Sequence, residues 1–238
     1  MDAGFAILIF IVLVVIFAVG AYYAYQHEKQ RREALAALAQ RIGWHFTADN
    51  DYSHEDEYDH FELFRQGHSR YAYNTLTGAL EIHGRACSAK MGDFRYQITT
   101  STGKSTTTHT YHFSYLIVHL PYPQLPTLLI RPEGMFDALK NAFGFADIDF
   151  ESAEFSKRFY VKSSDKRFAY DVIHAPVMEY LLEGDPPTID VEHGRCCLAD
   201  GSDTWSAEEF QAKLLWVRGF FDRWPKHVTS ALANPVSQ

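Results

Sequence analysis

From Ala3 to Tyr25 the chain runs through 23 residues without a charge, dominated by Ile, Leu, Val, Phe and Ala. Wound as a helix at 1.5 Å per residue, that stretch spans roughly 34 Å, enough to cross a ~30 Å hydrocarbon core with some tilt. No cleaved signal peptide is expected, because that would need a basic leader, and the only charge ahead of the segment is Asp2. Residues 1–25 are therefore expected to be a transmembrane anchor that meets the lipid bilayer through residues 3–25. No other window is long and apolar enough, so a single pass is expected.

Orientation follows from the basic residues near the span. None precedes it, whereas Lys29, Arg31, Arg32 and Arg41 follow within a short distance. Positive charge is retained on the cytoplasmic side, so the sequence predicts an inner-membrane protein with its C-terminal domain in the cytoplasm. Tyr22, Tyr23 and Tyr25 sit where an interfacial aromatic belt belongs.

The remainder has the makings of a folded domain. Of 238 residues 47% are hydrophobic and 22% charged, a globular composition. Lys and Arg number 22 against 30 Asp and Glu, a net charge of −8. No Lys/Arg run is longer than two residues, so a nucleic-acid partner is excluded. Cys87, Cys196 and Cys197 have no CxxC spacing, which fits neither a disulfide framework nor a structural zinc site and suits a reducing compartment.

Residues 26–43 contain no Pro and no Gly before Gly43, and carry Leu35, Leu38, Ala39 and Ile42 on one stripe. They should continue the span as a juxtamembrane helix stopped by Gly43. Residues 47–60, rich in carboxylates with His54 and His60 among them, are expected to form an exposed acidic loop. An EF-hand starting at Asp49 fails, because His54 and His60 occupy its glycine and terminal glutamate positions. A looser cation site from Asp56, Asp59 and His60 is the weaker alternative.

A run of hairpins should follow. A turn at Gly103-Lys104 pairs Phe94 with Phe113, Tyr96 with Tyr111 and Ile98 with His109 on one face, and Arg95 with His112 on the other. A turn at Thr77-Gly78 would pair Tyr73 with Ile82, with Phe61-Glu-Leu-Phe64 as a preceding strand. Tyr115 to Leu120 is apolar on both faces and should be central. After Arg131 the period shifts to 3.6, with a helix expected through Phe136, Leu139 and Phe143 and more helix from Ser164 to Leu182. A hairpin at His193-Gly194 pairs Val191 with Cys196 and Ile189 with Leu198, leaving Asp190 and Cys197 outside. Ser206-Ala-Glu-Glu209 is a capping box opening a final helix with Phe210, Leu214, Val217, Phe221 and Trp224 on its seam.

Taken together these patterns predict an α+β protein. A transmembrane helix precedes a soluble unit with a mainly antiparallel β-meander and helices packed on one side. The expected divisions are an anchor (1–25), a juxtamembrane helix (26–43), a meander half (44–131), an α/β half of the same unit (132–227) and a disordered tail (228–238).

Several stretches carry a family resemblance: Leu35 to Trp44, Phe61 to Phe64, Gly67 to Arg70, Leu129-Ile-Arg-Pro-Glu133, Phe143-Gly-Phe-Ala-Asp-Ile-Asp-Phe150 and Glu154-Phe155-Ser156. They resemble an uncharacterised family of bacterial, often membrane-anchored proteins, a domain of unknown function, over roughly residues 33 to 225. The resemblance implies one cohesive soluble unit and a bacterial envelope setting, and carries over no catalytic residue.

Within that pattern Asp147, Asp149 and Glu154 are the candidates for catalytic carboxylates, since Asp147 and Asp149 would leave one face of a short strand. Arg131 and Glu133 are candidates for binding, with a structural ion pair and a helix-terminus charge as the alternative. No nucleophile elbow, HExxH or phosphate loop is present, and no cofactor is implied. The leading expectation is a protein-interaction or scaffolding module, not an enzyme. The alternative is a metal-dependent or carboxylate-based hydrolase using the Asp147/Asp149 region.

Overall fold

A computed structural model describes residues 3–103, 105–122, 124–133, 147–201 and 203–233. Its first element is a single unbroken helix, α1 (Ala3–Ile42), that joins the apolar segment to residues 26–42. The first part is long and apolar enough to cross a membrane by length and composition, with none of its most apolar window buried. Past Tyr25 the surface changes character: Leu35, Leu38 and Ala39 are buried in the core, and Gly43 closes the helix at φ +73°.

Eight strands form one sheet in the order β1-β2-β3-β4-β8-β7-β5-β6, every described pairing antiparallel. The strands are β1 (His45–Thr47), β2 (His68–Ile82), β3 (Arg85–Ser101), β4 (Thr106–His119), β5 (Leu128–Pro132), β6 (Phe159–Ser163), β7 (Thr188–Glu192) and β8 (Arg195–Ala199). Helices α3 (Ala153–Arg158), α4 (Lys166–Val172), α5 (Ala175–Leu182), α6 (Ala207–Asp222) and α7 (Lys226–Ala233) join α1 in one core cluster with one face of the sheet. A smaller cluster covers the other face of β3, β4 and β8, built by the short α2 (His54–Glu57) and a 3-10 turn at Glu62–Arg65.

Local pairing is as the residue pattern dictates where turn chemistry is unambiguous. The β3–β4 register places Phe94 opposite Phe113, Tyr96 opposite Tyr111 and Ile98 opposite His109. In β7–β8, Val191 faces Cys196 and Ile189 faces Leu198. Alternation sends Cys196 into the large core and Cys197 into the small one, so the adjacent thiols do not meet. The Ser206/Glu209 capping box forms, and Phe210, Leu214, Val217, Phe221 and Trp224 are buried.

Elsewhere the structure corrects the sequence reading. No turn occurs at Thr77-Gly78; β2 runs straight through it, and the chain reverses at His83-Gly84, both at positive φ. Gly78 serves close approach instead: a Cβ there would lie 2.3 Å from Cγ of Trp44, whose indole N–H donates to the Ala79 carbonyl. Phe61 to Phe64 is not a strand, because Phe61 and Phe64 tuck beneath the sheet through the 3-10 turn. The meander is four strands, β1 to β4; β5 pairs with β6 and β7 instead of continuing it. Asp190 and Cys197 are buried, since that face is covered too.

Nor is 47–60 simply an exposed acidic loop. His54 and Tyr58 are buried in it, His54 among the rings of Tyr58, Phe64, Phe94 and Tyr115, while Glu55 pairs with Arg70 and Asp51 with Lys90. Aromatic burial fixes the segment and its acids stay near water. Residues 226–233 form α7 with Val228 buried, where a disordered tail is expected. The helix expected through Phe136, Leu139 and Phe143 and the chain end beyond Ala233 lie outside the described residues.

Candidate functional site

The chemistry that stands out is the junction between α1 and the sheet. Arg31 precedes Leu35 by one helical turn, on the stripe that enters the core. Opposite it, the inward row of β3 reads Cys87, Ala89, Met91 and then Asp93, a carboxylate in an apolar series. Asp93 is fully buried. Arg31 clamps it bidentately, Nη2 to Oδ1 at 2.6 Å and Nε to Oδ2 at 2.9 Å.

Two further donors complete the carboxylate's shell. The Ser114 hydroxyl, directly across the β3–β4 ladder, donates to Oδ1 at 2.6 Å, and the Asn74 amide donates to Oδ2 at 3.2 Å. Asn74 reaches there because β2 carries a bulge: Tyr73 pairs with Asp93 and Leu76 with Met91, one residue too many on β2. Asn74 takes the extra position at φ +51°, a conformation Asn tolerates better than most residues. The bulge also reverses the facing of β2, so Ala72 joins the small core and Leu76 the large one.

Ser114 extends the network toward α6. Its Oγ accepts from the Trp205 backbone N–H at 2.8 Å, and its own N–H donates to the Asp203 carbonyl. The Trp205 indole donates to Asp200 at 2.6 Å, which also meets Lys213. Burial alone would lower the Arg31 pKa, but the Asp93 hydrogen bond and charge outweigh it and raise it, so the guanidinium stays charged. The first turn of α6 lies beside α1, and Arg41 donates to Gln211 at 2.9 Å. The sheet, α1 and the segment ahead of α6 thus share one buried polar node, an arrangement that holds a helix at fixed angle to a domain.

With this geometry in view, comparison with known proteins adds one finding. The crystal structure of the mycobacterial trehalose monomycolate transport factor A, TtfA, is similar at a TM-score of 0.57 with 13% identity, covering 87% of this chain and 98% of that one. The likeness is one of fold. No family model matches the sequence, and no curated protein does.

The residues singled out from the sequence lie elsewhere. Asp149 and Glu154 are exposed, and the Asp147 carboxylate accepts the backbone N–H groups of Ile148 and Val161 at 2.9 and 3.2 Å, an anchoring role. Arg131 is buried with its guanidinium 5.0 Å from the Tyr160 ring centre, and exposed Glu133 donates its backbone N–H to the Arg158 carbonyl. Asp56 and Asp59 are exposed, with Asp59 3.9 Å from His60. Burial, aided by Arg195 and His193, pushes the His60 pKa down to about 4. Among the described residues no three His, Cys, Asp or Glu side chains are grouped to hold a metal ion. The Arg31–Asp93 pair escaped sequence reasoning because 62 residues separate the partners; the one visible signal was an acid in the inward row of β3.

A second buried acid makes a pH prediction. Glu192 is pushed up to about 7, chiefly by burial, with Arg65 lowering and Glu62 raising it. A carboxyl whose folded pKa exceeds its unfolded value stabilises the fold below the unfolded value, and that stability is lost as pH rises through about 7. Glu192→Gln removes the dependence. In urea titrations of the full chain in detergent, the variant should gain on the wild type steadily from pH 4.5 to 7; a constant difference would show that Glu192 is hydrated.

Proposed function

We propose that this chain is a single-pass protein of the bacterial inner membrane, with its globular domain in the cytoplasm, that acts as a protein-interaction or scaffolding module without catalysis of its own. The observation that carries the reading is α1: one helix is bare along its apolar part and locked into the domain core by Arg31–Asp93 along the rest. No hinge separates the two parts of that helix, so the domain is presented at a set orientation to whatever surrounds the anchor. The sequence resemblance to bacterial, often membrane-anchored proteins supports the setting. TtfA is by name a transport factor, and an accessory role beside a membrane transport assembly is the form this module would take.

Crosslinking in native membranes followed by purification of the full chain tests the role. A specific membrane-protein partner is expected; recovery of none, with metabolite turnover by the purified protein, would overturn it. Sidedness has its own test. A reporter active only in the cytoplasm, fused after Gln238, should be active and one requiring export silent; the reverse pattern would place the domain outside.

A further inference from the structure

Strands β3 and β4 outrun the rest of the sheet. β2 leaves β3 at Gln97, paired with His68, and β8 leaves β4 at Tyr115, paired with Ala199. Beyond those points Ile98–Ser101 and Thr106–His109 take their ladder partners only from each other, forming a projecting two-stranded ribbon. A ribbon of this kind is marginal by itself in water, and its outer edges present unpaired backbone groups.

Its direction is set by α1. Trp44, just past the helix, packs on Gly78 and Ala79, which pair with Ala89 and Ser88, whereas Arg31 grips Asp93. Moving along α1 toward its apolar part therefore means moving up β3 toward the ribbon. Glu28, one turn nearer the apolar part, accepts from the Asn74 amide at 3.3 Å, and the neighbouring Tyr73 hydroxyl lies 2.9 Å from His112, which pairs with Arg95. From Asp93 to Ser101 the strand advances about 26 Å, while from Arg31 to Tyr25 the helix advances only about 9 Å. Even a 45° splay would leave about 18 Å of advance along the helix axis. The ribbon tip thus passes the level at which the uncharged segment begins.

Its chemistry suits that level. In a chain that is 22% charged, Tyr96 to Tyr111 holds a single Asp, Glu, Lys or Arg, namely Lys104. Hydroxyls on the face toward α1 are satisfied within the ribbon and at its root: Thr99 with Thr108 at 2.8 Å, Thr110 with Gln97 at 3.1 Å and Thr99 with His68 at 2.9 Å. The opposite face exposes Ile98 and Tyr111, the latter stacked on Tyr96 at 5.1 Å. Uncharged, hydroxyl-rich and Tyr-bearing surface is what the membrane–water interface accepts.

We propose that the ribbon is a second membrane contact, seated in the headgroup layer of the bilayer that α1 crosses. This rests on the reading of α1 as a span, and the test separates the two. The full chain is reconstituted in phosphatidylcholine/phosphatidylglycerol vesicles and spin-labelled singly at Thr100→Cys or Thr107→Cys, both exposed, with Ala86→Cys at the far end of β3 and Val14→Cys in α1 as references. The three native thiols are buried and stay unlabelled. The ratio of oxygen to nickel-chelate accessibility at both ribbon positions should exceed that at Ala86→Cys several-fold and stay below that at Val14→Cys. A lipid signature at Val14→Cys with ribbon labels as water-exposed as Ala86→Cys would overturn the ribbon proposal alone. A water-exposed Val14→Cys would overturn the span itself. Immobile ribbon labels shielded from both reagents would mean that protein covers the ribbon, which also overturns the lipid assignment.

Discussion

Replacing Asp93 by Ala should lower the unfolding free energy by about 3–5 kcal/mol, the cost of leaving a buried charge without its partner. The variant strips the acceptor from Arg31, Asn74 and Ser114 together, and only Arg31 keeps any access to water, with 14% of its side chain exposed. Urea denaturation of the full chain in detergent, followed through tryptophan fluorescence, would measure it. The double variant R31M/D93L should cost clearly less than the sum of the single changes, because replacing both charges removes the desolvation penalty along with the attraction. A loss below about 1 kcal/mol for Asp93→Ala would show that the pair is hydrated in solution, as exposed ion pairs are. Because the node joins α1 to the sheet and to the segment ahead of α6, loss of orientation should accompany loss of stability.

Phe64→Ala should cost about 3–5 kcal/mol, the range for emptying a fully buried aromatic site. Phe64 is the centre of the small core: its ring lies 4.6 Å from His54, 4.9 Å from Phe94 and 5.4 Å from Tyr115, and it is wholly buried. The same denaturation measurement applies. A second readout is the His54 imidazole, held well below its ordinary pKa by burial. Opening the cage admits water and should move its titration upward, visible by NMR. A native-like stability with an unmoved His54 would mean that the 47–67 segment does not pack on the sheet in solution.

What was legible in the sequence was local. The uncharged run at the N-terminus, the β3–β4 and β7–β8 registers, the capping box at Ser206 and the seam of α6 each depend on residues within one element or across one tight turn. Side-chain period and turn stereochemistry determine such features without reference to the rest of the chain. Tertiary structure decided the rest, because each remaining choice compares distant surfaces. Gly78 reads as a turn until Trp44 is seen to need its missing Cβ, and Phe61 to Phe64 reads as a strand until both rings are drawn under the sheet. Asp190 and Cys197 read as outward until their face is found to be buried. The bulge at Asn74 inserts one residue, reverses the facing of β2, and aims an amide at Asp93. Whether a lone acid in an inward row is a fault or an anchor depends on whether a cation arrives from elsewhere to meet it. Here it arrives from α1, 62 residues earlier, and a one-dimensional pattern carries no record of that distance being closed.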